Sequence, residues 1–147
     1  MAPCWYSKLK PFALLSFSIY AFWNFYYAAK RNKLTRYDVD KRFTNAISYG
    51  NTVYMSGQVG EGKTIEEQTR SVLAELDKAL QSAGSDKSQI LELTIWLSDM
   101  GRDYSTVNAI YDEWIVPGKP PPRACVQAKL YSEDCFIEVR AIAARNI

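Results

Sequence analysis

The chain has 147 residues, room for one domain of ordinary size and too few for two. Hydrophobic residues make up 48% and charged residues 23%, which excludes a disordered or fibrous chain. The net charge is only +2, but residues 1–36 hold six bases (Lys8, Lys10, Lys30, Arg31, Lys33, Arg36) and no acid, so the remainder carries 12 bases against 16 acids, a net of −4. A folded part of that sign is a poor binder of nucleic acid, whose affinity rests on neutralising phosphates.

From Pro11 to Ala29 runs an uncharged stretch of 19 residues, PFALLSFSIYAFWNFYYAA. As a helix it would be about 28 Å long, close to a bilayer core. Asn24 lies inside it, and Trp and Tyr, which favour the headgroup region, crowd its second half. As a secretory signal cleaved after Ala29 it would put bulky Tyr27 where a small side chain is needed. A basic, acid-free leader also matches an organelle transit peptide, although Arg and Ser are sparse. Three readings therefore stay open for residues 1–34: a membrane anchor acting through residues 11–29, a targeting segment, or an upstream extension without a role. The folded domain is expected over residues 35–147.

Within it, a strand around Thr44–Ser48 is expected to pair, through the Tyr49-Gly50-Asn51 turn, with a second strand in Asn51–Gln58 that ends at Gly57. Thr64-Ile-Glu-Glu67 has the form of a capping box, and the helix it opens places Ile65, Val72, Leu73, Leu76, Leu80 and Ala83 on one stripe before Gly84 closes it. Ile90–Leu97 alternates, with Leu91, Leu93, Ile95 and Leu97 on one face and Glu92, Thr94 and Trp96 on the other. A second helix from about Asp103 to Ile115 sets Tyr104, Val107, Ile110, Tyr111 and Trp114 at helical spacing. Two last strands, Arg123–Leu130 and Phe136–Ala143, read as a hairpin joined by Ser132-Glu133-Asp134. This order predicts an α+β fold, a mostly antiparallel sheet with two helices on one face. The uncovered face must meet water or another subunit, and Trp96 on that side points to self-association.

The absence of histidine removes Ser-His-Asp and Cys-His nucleophile systems and the usual zinc and haem ligand sets. Cys4, Cys125 and Cys135 make no C-x-x-C pair, and an odd, scattered set of three fits a reducing compartment better than a disulfide framework. Chemistry must then rest on carboxylates, arginine, backbone amides, a thiol or water. In Lys119-Pro-Pro-Pro-Arg123 three prolines fix an extended approach that delivers Arg123 at the start of its strand. An arginine so held suits a two-bond grip on a carboxylate; the alternative is a surface arginine paired with a local acid. Arg123, Cys125, Gln127 and Lys129 share one face, leaving Ala124, Val126, Ala128 and Leu130 for the core.

Glu138 lies in an apolar run, where a carboxylate can orient or deprotonate a water; the alternative is a cross-strand pair with Lys129 or Arg140. Hairpin geometry leaves it ~10–20 Å from Arg123. Cys125, without a histidine partner, reads as a small buried or pocket-lining thiol, although a nearby Arg123 could lower its pKa. Ser56-Gly57-Gln58 offers backbone N–H groups to an anion, and Cys135 sits in the turn without a role.

Gly50–Gln58 (GNTVYMSGQ), Thr94–Met100 (TIWLSDM), Val107–Tyr111 (VNAIY), Pro122–Val126 (PRACV) and Ile137–Val139 (IEV) resemble, in that order, the RidA/YjgF family over roughly residues 35–145. The resemblance implies a chorismate-mutase-like α+β fold assembled as a homotrimer with clefts between subunits. It implies hydrolysis of reactive enamines and imines, such as 2-aminoacrylate, to 2-oxo acids and ammonia, without cofactor or metal. The matching positions are Arg123 for the carboxylate-binding arginine, Cys125 for the pocket cysteine and Glu138 for the water-orienting glutamate, with Gly57 lining the same cleft. Two departures stand out. Lys41-Arg-Phe-Thr-Asn-Ala46 puts Phe43 where the family has a pocket tyrosine, and Asp99-Met-Gly-Arg-Asp-Tyr104 is one residue longer than the family's Asp-Met-Asn-Asp-Phe loop, with no match for its asparagine.

The expected function is therefore an imine/enamine deaminase acting on small 2-imino acids; the alternative is a non-catalytic trimeric binder of small 2-oxo acids. Nuclease roles attributed to family members are disfavoured by the acidic domain and the missing histidines. The expected location is the cytoplasm, or the mitochondrion or a membrane if the leader is functional.

Overall fold

The computed structural model describes residues 19–26 and 33–146. The chain divides into two units, Met1–Lys33 and Leu34–Ile147. In the first, residues 19–26 are helical, while Cys4 and residues 11–18 and 27–29 of the uncharged stretch lie outside the described residues. Among the described residues no helix is long and apolar enough to cross a membrane.

The second unit is an α+β domain. Strands β1 (Leu34–Val39), β2 (Thr44–Tyr49), β3 (Thr52–Met55), β4 (Gln58–Val59), β5 (Ile90–Leu97), β6 (Arg123–Gln127) and β7 (Ile137–Ala144) form one sheet in the order β1-β2-β3-β7-β5-β6, with β4 beside β7 beyond β3. Every pairing is antiparallel except β5 with β6. Helices α1 (Ile65–Ser82) and α2 (Met100–Trp114) cover one face, closing a core in which Leu76, Leu80, Leu93, Ile95, Leu97 and Val139 are fully buried.

The start of α1 follows the sequence closely, whereas α2 begins at Met100, about a turn before the expected Asp103. Thr64 Oγ1 accepts from Glu67 N at 3.2 Å and Glu67 Oε2 from Thr64 N at 3.3 Å, the reciprocal box that satisfies two otherwise orphan donors. Gly84, at φ 76°, turns the chain out of α1 in a conformation that a side chain would strain. In α2 the buried residues include Val107, Ile110 and Tyr111, but Tyr104 is 42% exposed and Asp103 lies inward at 1%. Arg102 makes that burial tolerable by binding both Asp103 oxygens at 2.7 Å. Gly101 and Arg102 are not a loop: they form the first turn of α2, capped by Asp99, whose Oδ1 accepts from Arg102 N at 3.0 Å.

Three expectations about the sheet are corrected, and one strand, β1, was not foreseen. The strand expected to run to Gly57 ends at Met55; Ser56 still donates its N–H to Asn45 O of β2 (2.9 Å), and at Gln58 the chain pairs with β7 instead. A register shift between Ile90 and Glu92 turns Leu91 outward, 51% exposed, and Ile90 inward. The strand β1 has no strong apolar alternation to announce it. It is tied to β2 through register pairs and the Tyr37 OH–Ser48 Oγ contact at 3.2 Å. The hairpin expected between Arg123–Leu130 and Phe136–Ala143 does not form, since β5 lies between β6 and β7. The reason is the β5–α2–β6 crossover: a helix between two strands lets the second return parallel to the first.

Asp86 ties the end of the domain together. Its Oδ1 accepts from Ser88 N at 2.7 Å, capping the short turn Lys87–Gln89, and its Oδ2 accepts from Asn146 Nδ2 at 2.8 Å. Hydrogen bonds from Ser88 and then Asn146 hold its pKa below the ordinary carboxylate value. A lowered folded pKa means that this contribution is fully present above the ordinary Asp value of about 3.9 and is lost as pH falls through the lower, folded value. Asp86→Ala is expected to cost about 1 kcal/mol at neutral pH, with a smaller penalty in strong acid, as urea melts of both chains will show.

Candidate functional site

Cross-strand partners project to the same side of a sheet, so the register sorts the predicted site residues by face. Arg123 is paired with Leu93 and Cys125 with Ile95, both buried beneath the helices. The face carrying Arg123, Cys125 and Gln127 is thus the helix-covered one. Ala124 and Val126, expected in the core, point to the open face, where Val126 is 42% exposed. Glu138 is paired with Trp96 and sits between buried Ile137 and Val139, so it shares the open face with Trp96. Arg123 and Glu138 therefore lie on opposite sides of the sheet. They are offset by three residues along the strands and two strands across, roughly 14 Å between backbones.

Around Arg123 the arrangement is specific. The sheet ends at β6, and the guanidinium leans from this edge strand onto α2. Its Nη2 donates to Asn108 Oδ1 at 2.9 Å, and its carbon lies 4.5 Å from the centroid of the Tyr111 ring. Asn108 and Tyr111 are three residues apart on one helix face, so one element supplies both supports. No acid pairs with Arg123 among the described residues, and the local-acid alternative falls away. One of the five N–H groups is engaged by the amide, leaving donors in a fixed plane for a planar anion.

Cys125 is half-buried on the same face, packed against the core. Burial pushes its thiol pKa up, and the opposing effect of Arg123 is smaller, so the thiol is neutral at pH 7. Arg123 does act to lower the thiol pKa, as the sequence suggested, but burial outweighs it. Iodoacetamide labelling of Cys125 is expected to be slow at pH 7 and to accelerate only above the ordinary thiol range, as peptide mass spectrometry will report. Cys135 is buried beside the turn, its Sγ 3.6 Å from Ile137 O.

A second group gathers on the open face. A Cβ built on Gly57 would lie 1.8 Å from Glu138 Oε1, so the Glu138 carboxylate rests directly on the bare Gly57 backbone. Ser56 Oγ donates to Thr44 O at 2.8 Å, which holds the start of β2, and with it the preceding Phe43, at the same end of the sheet. The Phe43 ring is 53% exposed. Neither Lys129 nor Arg140 forms an ion pair with Glu138 among the described residues. The Ser56 N–H, expected to be free for an anion, is consumed by Asn45 O.

One chain thus holds two candidate half-sites: Arg123, Cys125, Asn108 and Tyr111 on one side, Glu138 and Gly57 on the other, with Phe43 exposed just before β2. Asn108 and Tyr111 were not among the residues expected from the sequence to form the site, although their spacing of three on a helix was legible. A cavity of about 680 Å³ opens beyond β6, lined in part by Gln127, Lys129, Tyr131 and Glu133, and includes neither Arg123 nor Glu138. Among the described residues no group of three His, Cys, Asp or Glu side chains is placed to hold a metal.

The comparisons with known proteins agree with this fold. The family model described as endoribonuclease L-PSP matches residues 34–145. A RutC family protein of Haemophilus ducreyi is 40% identical over 115 residues, covering 77% of this chain and 97% of its own. The mitochondrial protein mmf1 of Schizosaccharomyces pombe is 37% identical over 110 residues, covering 69% of this chain and 67% of its own. The crystal structure of a YjgF-family protein from Neisseria meningitidis superposes with a TM-score of 0.77 at 34% identity, covering 80% of this chain and 98% of that one. On the family match and these identities, the chain belongs to the RidA/YjgF family, the family of the L-PSP and RutC proteins.

Proposed function

We propose that the protein hydrolyses small reactive enamines and imines of the 2-aminoacrylate type to 2-oxo acids and ammonia. The observation that carries this reading is the Arg123 guanidinium, gripped by an amide and an aromatic face and neutralised by no acid among the described residues. A 2-imino acid offers a carboxylate to that fork, and its imine carbon is already electrophilic. The enamine first tautomerises to the imine. Water, oriented and deprotonated by Glu138, adds its oxygen to the imine carbon while the nitrogen takes a proton. Collapse of the carbinolamine breaks the C–N bond, releasing ammonia and leaving the 2-oxo acid. Cys125, Gly57 and Phe43 line the site, and the chemistry asks for no cofactor.

Because the half-sites face opposite ways, the proposal requires two chains at each site. The homotrimer implied by the family resemblance meets this need by setting Arg123 of one chain against Glu138 of its neighbour. It would also cover the open sheet face, where Trp96 is half-buried and Tyr54 and Val126 are 40% and 42% exposed. The endoribonuclease description is less well supported, since residues 37–147 carry a net of −4 and the chain has no histidine. For location we infer the cytoplasm, or the mitochondrion if the leader is a targeting segment, as the description of the fission-yeast relative suggests.

The test is pyruvate formation from 2-aminoacrylate generated in situ from serine. Acceleration over the buffer rate is expected, and Arg123→Lys should lower kcat/KM by about tenfold or more because a point charge does not reproduce the planar fork. No acceleration, or an unimpaired Arg123→Lys, overturns the reading. Calorimetric binding of 2-oxobutyrate without turnover would instead identify a non-catalytic 2-oxo acid binder, a reading favoured by the hydroxyl-free ring of Phe43.

A further inference from the structure

Asn108, Tyr111 and Trp114 recur every three residues along α2, so they form one row on its surface, with Trp114 the last residue of the helix. Asn108 meets Arg123 through a single hydrogen bond of 2.9 Å. One bond fixes one nitrogen and leaves the guanidinium plane free to turn about it. The Tyr111 ring, with the guanidinium carbon over it at 4.5 Å from the centroid, takes away that freedom.

The hydroxyl of this tyrosine contributes nothing comparable. Tyr111 is 6% exposed, and its OH is buried without a hydrogen-bond partner among the described residues. A buried hydroxyl left unpaired weakens a fold, and the ring alone makes the contact with Arg123. The ring is in turn held from the other helix. Its centroid lies 5.8 Å from that of Trp114, with the two planes tilted by 47°. Trp114 Nε1 donates to Asp77 Oδ2 of α1 at 2.9 Å, and Lys87 Nζ lies 3.8 Å from the same oxygen and 5.3 Å from the centre of the Trp114 ring. The last residue of α2 is thus pinned to α1, and contacts run unbroken from Asp77 through Trp114 and Tyr111 to Arg123.

We propose that Tyr111 is a positioning residue for the carboxylate grip: its ring face sets the plane of the Arg123 guanidinium, and the Trp114–Asp77 hydrogen bond between the helices holds that ring in place. The inference deepens the reading of Arg123 as the group that grips the substrate carboxylate, and rests on it. A guanidinium out of plane keeps its charge but loses the two-bond fork. The loss therefore falls on ligands that carry a carboxylate and spares those that do not.

Calorimetry of the full chain with 2-oxobutyrate and with its uncharged amide, 2-oxobutanamide, tests it. The wild type is expected to favour the acid by about tenfold or more. Tyr111→Leu should lose about five- to tenfold of that preference with the affinity for the amide unchanged, whereas a general disturbance of the fold would weaken both ligands together. Tyr111→Phe should keep the wild-type preference, with a thermal midpoint at or above that of the wild type. Asp77→Ala, a change at a side chain 29% exposed, should lose about threefold of the preference, and it carries the test where Tyr111→Leu does not fold. An unchanged preference in Tyr111→Leu, or in Asp77→Ala where that chain does not fold, overturns the proposal, as does a Tyr111→Phe that falls as far as Tyr111→Leu. Arg123→Lys separates the two claims. If the wild type has no preference for the acid, or Arg123→Lys leaves it intact, the grip itself is overturned and this inference with it. A preference that Arg123→Lys abolishes and Tyr111→Leu spares overturns the positioning role alone.

Discussion

Arg123→Ala and Glu138→Gln, each reduced at least about 100-fold alone, are expected to regain roughly a quarter of wild-type activity when the two chains are co-assembled in equal amounts. The expectation follows from the sheet. Arg123 and Glu138 project from opposite faces, so the proposed reaction would need the arginine of one chain and the glutamate of its neighbour. With random mixing, a site is intact only when its arginine donor is a Glu138→Gln chain and its glutamate donor an Arg123→Ala chain, about one half times one half. Were both residues of a site drawn from a single chain, every mixed site would carry one lesion and no activity would return. Co-expression with two affinity tags, followed by the 2-aminoacrylate assay, reads the difference. The individual losses are large for distinct reasons. Removing the guanidinium deletes a charge-assisted, two-bond grip on the substrate carboxylate. Replacing Glu138 by its isosteric amide keeps the shape but removes the base that activates water, worth about 10²–10⁴-fold where such groups act.

Two neighbouring glycines should fail in opposite ways. A methyl group on Gly57 would meet the Glu138 carboxylate oxygen at 1.8 Å, the far end of a side chain that can swing aside. Gly57→Ala is therefore expected to keep its thermal midpoint within a few degrees while kcat drops by about tenfold or more, because Glu138 leaves the position from which it aims water. A methyl group on Gly60 would meet the backbone oxygen of Gln68 at 1.9 Å, in the first turns of α1. Backbone in a helix cannot step aside so cheaply. Gly60→Ala should cost about 1–3 kcal/mol of stability by denaturant melt, with the turnover of the folded fraction unchanged. Chemical denaturation beside steady-state kinetics separates the two. A stability loss in Gly57→Ala equal to that in Gly60→Ala would mean that the Glu138 carboxylate is as rigidly held as a helix backbone.

The inward position of Asp103 shows why a stripe read from polarity alone goes astray. A carboxylate is normally excluded from the core, so Tyr104 looks like the better candidate. The clamp from Arg102, itself lying 5.2 Å from the centre of the Phe136 ring, reverses that order. The ring under the clamping arginine, Phe136, lies 34 residues after Arg102, and no local window contains it.

Much was settled by the linear chain on its own. The capping box at Thr64, the apolar period of α1 and the alternation of Leu93, Ile95 and Leu97 are local signals, set by backbone hydrogen bonding and burial over a few residues, and each appears where the sequence places it. The same holds for Arg123 at the head of its strand, delivered by three prolines that need no tertiary contact to stay extended. Which strands become neighbours was decided only in three dimensions. Pairing is a long-range choice made by competition among strands for the buried centre of the sheet. There β5, with Leu93, Ile95 and Leu97 in the core, displaced the hairpin expected between β6 and β7, and parallel pairing with β5 turned Arg123 toward α2. That single choice brought Asn108 and Tyr111 to the guanidinium and sent Glu138 to the opposite face. The candidate residues were thus readable by type, but their separation onto two faces was not, because the face a strand residue occupies depends on partners that the sequence does not name.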